Sequence, residues 1–83
     1  MVAVGDVVDV LRDIRDSRGK EWGIISFCLP GGKVAIVVAS QQFYPSDIAD
    51  IEKALEEILE DFVVQITSTG HHVALVIESS ELE

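Results

Sequence analysis

Acidic side chains crowd one short stretch of this chain, and their carboxylates are the groups most able to do chemistry. Glu56, Glu57, Glu60 and Asp61 lie close together in the sequence. If residues 46–62 form one helix, these side chains surround its C-terminal end, where the helix dipole already places negative charge. Carboxylates and free helix carbonyls are hard oxygen ligands of calcium and magnesium. One hypothesis is therefore a divalent-cation site, although a solvated acidic face that maintains solubility explains the same residues.

Basic residues gather in the first quarter of the sequence. Arg12, Arg15, Arg18 and Lys20 include most of the cations in a chain that has only 6 lysines and arginines. They predict either an anion site or a surface complementary to the acidic helix of a second copy. Stabilisation of a helix C-terminus by nearby cations explains them as well.

The remaining reactive residue types do not form a recognisable catalytic set. His71 and His72 are adjacent at the start of a predicted strand, so their side chains point to opposite faces and do not chelate one ion together. Cys28 lies between Phe27 and Leu29 and is predicted to be a buried small hydrophobe. No nucleophile and base can be paired. An enzyme with its site at a dimer seam is therefore the hypothesis ranked last.

Length and composition limit the class of protein. The chain has 83 residues, which favours one domain over residues 1–83. Its net charge of −9 opposes binding to nucleic acid or to anionic membranes. A single cysteine excludes an internal disulfide and fits a reducing compartment, so we expect a cytoplasmic protein. No apolar run reaches the ~18 residues of a membrane span.

Helical periodicity appears in two segments. Residues 46–62 carry apolar side chains that recur on one face, namely Ile48, Ile51, Leu55, Ile58, Leu59 and Phe62. Ser46 or Asp47 is the predicted N-cap, because a short side-chain oxygen accepts a free backbone N–H there. A first helix is predicted over residues 6–17, with Asp6 as its N-cap.

Four apolar segments fit strands. They cover residues 21–29, 33–40, 63–68 and 72–78, and turn residues separate the members of each pair. Residues 79–83 are predicted to be a frayed acidic tail.

The order is helix, strand, strand, repeated once, which predicts an α+β fold of two layers. A right-handed crossover from the second strand through the second helix to the third gives the strand order 3-4-2-1, with both helices on one face of a mainly antiparallel sheet. Strands 2 and 4 are expected to be central and parallel. This arrangement resembles a circular permutation of the ferredoxin-like sandwich; a roadblock-like or profilin-like sandwich is the alternative. The two halves, residues 6–40 and 47–79, also predict an internal repeat.

The sheet face opposite the helices is predicted to be apolar and open. Such a surface on a small soluble protein usually marks an interaction site. The strand pattern assigns to it Trp22, Ile24, Ala35, Val37, Ala74 and Val76.

These features favour a small, acidic, non-catalytic binding or interaction module. We expect it to form a homodimer or to bind a protein partner through the open face. Calcium or magnesium binding at the acidic helix end is the alternative function, and no other cofactor is predicted.

Overall fold

The computed structural model describes residues 1–83 and contains two helices and four strands. The order is α1, β1, β2, α2, β3 and β4, which confirms the predicted α+β arrangement. Their bounds are Val4–Arg18, Gly23–Cys28, Val34–Ser40, Pro45–Ile58, Val63–Thr69 and His72–Glu78.

The four strands form one sheet in the order β1-β2-β4-β3, which is the predicted order. Every neighbouring pair is antiparallel. The expectation that β2 and β4 run parallel is therefore wrong. The crossover through α2 makes β3 run in the same direction as β2. The hairpin between β3 and β4 then reverses β4, so it must run opposite to β2.

Both helices pack on the same face of the sheet. Leu11 of α1 and Ile51 and Leu55 of α2 are fully buried in one cluster with alternate residues of the two central strands. On those strands the residues that face the helices are Ile36, Val38, Leu75 and Ile77. These are the larger apolar side chains of β2 and β4, and their burial against the helices drives the two layers together.

The ends of α2 differ from the prediction. Tyr44 is the N-cap and Pro45 is the first helical residue, where the missing proline N–H costs nothing. Asp47 still serves the helix start, but from the third helical position, where its carboxylate accepts the Tyr44 backbone N–H at 3.0 Å. The helix ends at Ile58, and Leu59 is already extended, so Phe62 lies outside it.

The first helix begins earlier than predicted. Ala3 is its N-cap and makes no side-chain cap hydrogen bond, so Asp6 lies within the first turn instead of capping it. An acidic residue there still interacts favourably with the positive end of the helix dipole. Gly19 ends the helix in the left-handed conformation, with φ of 63°.

The predicted frayed tail is ordered. The backbone N–H of Val2 donates to the Glu81 carbonyl at 2.7 Å, and the N–H of Glu83 donates to the Val2 carbonyl at 3.0 Å. Leu82 is buried in the core cluster. One apolar side chain therefore anchors a segment whose acidic composition suggested solvent exposure.

Candidate functional site: the open face of the sheet

The sheet face opposite the helices carries three rows of side chains that the strand register defines. The central row runs Ile25, Val37, Val76 and Gln65 across the four strands. The rows on either side run Phe27, Ala35, Glu78 and Val63, and Gly23, Ala39, Ala74 and Thr67. No helix covers these residues, so this face of the sheet is open.

Large apolar side chains of this face are in contact with solvent. Ile25 is 62% exposed, Val63 is 53% exposed and Phe27 is 37% exposed. Val37 and Val76, at the centre, are half-buried. Exposed large apolar side chains on one face of a small protein are a common feature of interaction surfaces.

The open face is almost uncharged. Glu78 is the only lysine, arginine, aspartate or glutamate within any of the four strands, although the chain carries 15 acidic and 6 basic residues. A solvated face of an antiparallel sheet normally alternates polar residues with the buried ones. The central strands here have valine and alanine in those positions. Covering this face would remove apolar area from water and would bury only one acidic side chain in each copy, that of Glu78.

The structure separates the six side chains that the sequence assigned to this face. It places Ala35, Val37, Ala74 and Val76 there. The placement of Trp22 and Ile24 was wrong: Trp22 is buried in the core, 5.8 Å from the ring of Phe43, and Ile24 packs against the same core. The register explains this, because Ile24 lies opposite Val38, which faces the helices.

Ile25 and Phe27 replace them on the open face, and the sequence did contain a signal for this. In β2 the large residues Ile36 and Val38 alternate with the small residues Ala35 and Ala39. The large set fills the space beneath the helices, and pairing with β2 then fixes which face each β1 residue takes.

The four acidic residues that the sequence suggested as calcium or magnesium ligands lie on two different elements. No three histidine, cysteine, aspartate or glutamate side chains come close enough together to hold an ion. Because α2 ends at Ile58, Glu60 and Asp61 lie in the following turn and not on the helix with Glu56 and Glu57. The carboxylate of Glu81 contacts this turn by accepting hydrogen bonds from the backbone N–H groups of Glu60 and Asp61, both at 2.8 Å.

The basic residues of the first helix pair with acids of the same chain. Arg12 lies 3.9 Å from Asp9, and Arg15 lies 2.9 Å from Asp16. At the end of the helix Arg18 contacts Asp50 of α2 at 3.1 Å. At least one side chain of each pair is more than half exposed, so each pair contributes little stability. The same three arginines are the ones for which the sequence suggested an anion site or a contact with a second copy.

Asp47 has the most unusual electrostatic environment in the protein. Its carboxylate is buried and lies 3.1 Å from Lys20, whose ammonium group also sits 5.0 Å from the centre of the Tyr44 ring. Burial alone would raise the pKa of Asp47. The hydrogen bonds from Tyr44 and Lys20, with the positive charges of Lys20 and Arg18, outweigh burial and hold that pKa below its ordinary value. The ion pair between Asp47 and Lys20 links the end of α1 to the first turn of α2.

The predicted reactive residues are not brought into a common site. Cys28 is exposed, which contradicts the prediction that it is buried, because it belongs to an edge strand whose end is not covered by a helix. His71 lies in the turn between β3 and β4, and His72 begins β4 on the open face, opposite Thr69.

An open groove of about 460 Å³ lies at one end of the sheet, between the β1–β2 turn and the start of β3. Its volume is within the range of small-molecule sites. Lys33, Asp61 and Glu78 line it, together with Leu29, Pro30 and Val63. The apolar residues join this groove to the open face, so both belong to the same candidate surface.

Comparisons with protein-family models, curated proteins and solved structures find no match to this chain. Neither helix has the length and apolar character required to cross a membrane.

Proposed function

We propose that this protein is a small interaction module that self-associates through the open face of its sheet. Two copies pack sheet against sheet about a twofold axis, so the same residues of each copy meet. The observation that supports this most strongly is a nearly charge-free face, with Ile25, Phe27 and Val63 in contact with solvent, in a chain of net charge −9. A surface of this kind is expected where solvent is excluded.

A second copy fits this surface better than a charged partner does. A basic protein would be attracted to the acidic helices, whereas the open face offers it only Glu78. Packing sheet against sheet places the helices of the two copies on opposite outer sides. Since the shortest dimension of one copy is 17 Å, most carboxylates of the two copies would lie beyond the ~8 Å screening length of physiological salt.

The size of the face sets the strength of the contact. Four strands about 4.8 Å apart and seven residues of about 3.3 Å give a flat area on the order of 400 Å². A standard interface buries about 800 Å² per partner. We therefore expect association that depends on concentration, with a dissociation constant of about micromolar or weaker.

Replacing Val37 or Val76 with lysine tests the proposal. Each variant places a charge at the centre of the face in both copies, and like charges meeting there cost several kcal/mol. Light scattering over a dilution series is expected to show mass above the 9.1 kDa monomer for the unmodified chain and a lower mass for both variants at the same concentrations. Gln41→Lys is the matched control, since it adds the same charge at an exposed loop position and leaves the mass unchanged. Equal masses for the unmodified chain and both face variants contradict the proposal.

We also propose that the fold is a permuted ferredoxin-like sandwich built from an internal repeat over residues 6–40 and 47–79. The strand order β1-β2-β4-β3 and the placement of both helices on one face support this reading. A test is expression of residues 1–44, which on this account form a helix and hairpin that associate as a symmetric pair. A chain that stays unfolded at high concentration contradicts a self-sufficient repeat.

A further inference from the structure

The strand β3 lies at one edge of the sheet and pairs on one side only, with β4. A two-residue turn joins the two strands and closes on Thr69 opposite His72. The closing pair of such a hairpin exchanges both of its hydrogen bonds. Alternation along the strand then directs the backbone groups of Gln65 and Thr67 towards β4. It leaves the N–H and carbonyl groups of the residues between them facing outwards, namely Val64, Ile66 and Ser68.

This edge has none of the usual protections against pairing. Native edge strands are commonly interrupted by charged residues, proline or a bulge. Residues Val63–Thr69 contain no charged residue and no proline, and their register with β4 is unbroken. Ile66 points to the helix side of the sheet but is 60% exposed.

We propose that a second copy of this chain pairs with β3 through its own β3, antiparallel, about a twofold axis that passes beside Ile66. Ile66 is the middle residue of the strand, so this register places it opposite itself and places Val64 opposite Ser68 of the other copy. These are the residues with outward-facing backbone groups. The pairing therefore forms about six new hydrogen bonds.

The residues that flank the strand are complementary in this register, because an imidazole N–H can donate a hydrogen bond to a carboxylate. Asp61 and His71 are equally far from Ile66 along the chain, on opposite sides of it. Each aspartate therefore lies near the histidine of the other copy. The start of the strand is also held in place, because the Glu81 carboxylate binds the backbone of Glu60 and Asp61.

Edge pairing is independent of the face contact and compatible with it. Its twofold axis is perpendicular to the sheet, so the helices of both copies stay on the same side and the two open faces become one continuous surface. The axis of the face contact is parallel to the sheet. If the face axis crosses the edge axis, the two perpendicular twofold axes together define a tetramer of D2 symmetry; axes that do not meet give an open assembly.

Ile66→Lys tests the edge, with Ile25→Lys as its matched control. The two isoleucines are equally exposed, at 60% and 62%, but Ile25 is in β1 on the open face. Two lysines facing each other across the twofold axis repel. We expect the dissociation constant of edge pairing to rise by about 5- to 30-fold in Ile66→Lys. Ser68→Pro is a second variant, which removes only an outward-facing N–H and which an edge strand tolerates.

Residue-resolved amide exchange separates the two interfaces. In the unmodified chain at high concentration, the amides of Val64, Ile66 and Ser68 are expected to exchange at least about tenfold more slowly than in a dilute sample. This protection is lost at all three amides in Ile66→Lys and at Val64 and Ile66 in Ser68→Pro, which has no amide at position 68, and it is retained in Ile25→Lys. Free exchange of the three amides at every concentration overturns edge pairing, as does protection that survives Ile66→Lys. The face proposal fails separately, if Val37→Lys leaves association unchanged.

Discussion

Replacing Leu75 with alanine lowers the free energy of unfolding by about 2–5 kcal/mol. Leu75 is fully buried in β4 and belongs to the cluster that both helices share. Truncation removes its transfer free energy and leaves a cavity between the layers, which closely packed neighbours fill only in part. A domain of this length has a total stability of about 4–12 kcal/mol, so the loss is a large fraction of it. Urea denaturation followed by circular dichroism measures the change.

Val76→Ala is the control for this prediction. Val76 is the next residue along the same strand, but it points to the open face and is half-buried in one copy. Under dilution to monomers its truncation is expected to cost less than about 1 kcal/mol, because little apolar area is lost from the interior. Similar losses for the two variants in the dilute state would mean that the two faces of β4 are not buried differently.

Replacing Asp47 with alanine is expected to lower the free energy of unfolding by about 1–3 kcal/mol at pH 7. The variant leaves the Tyr44 backbone N–H without its acceptor and removes the partner of Lys20, both at the start of α2. Asp13→Ala is the control, since it removes the same charge from an exposed position of the first helix. Equal losses for the two variants would show that the buried position of Asp47 contributes nothing.

The contribution of Asp47 depends on pH in a direction that its pKa fixes. The pKa of Asp47 in the folded protein lies below the ordinary value of 3.8. The ionised carboxylate therefore stabilises the fold fully above that value, and the stabilisation is lost as the pH falls through the lower, folded-state pKa. The stability difference between the unmodified chain and Asp47→Asn is expected to be constant from pH 7 to about pH 5 and to shrink below pH 4. A difference that grows on acidification contradicts this assignment.

The strand order followed from the sequence because it depends on few choices. Two hairpins and one right-handed crossover leave little freedom in how four strands are arranged. The direction of the central pair follows from the same connections, and the expectation of a parallel pair was inconsistent with them. Helix ends were less predictable, since Pro45 and the extended Leu59 fix the ends of α2 through local backbone geometry and not through apolar periodicity.

The candidate site was predictable only in part, for a reason specific to sheets. Alternation in β1 separates Trp22 and Ile24 from Ile25 and Phe27, but it does not say which set faces the helices. That choice depends on pairing with β2, where the size difference between Ile36 and Ala35 decides the matter. The burial of Leu82 was also missed, because a contact between the two chain ends leaves no periodic signal in either of them.

The most direct test of the open face as an interface is an isotope-filtered NOE measurement on a mixed sample. One copy carries ¹³C-labelled methyl groups, and the other is unlabelled, so only contacts between copies give a signal. The account predicts cross-copy signals at the methyl groups of Ile25, Val37 and Val76, and their disappearance in Val37→Lys. Association detected by light scattering without any cross-copy signal at these methyl groups would contradict it.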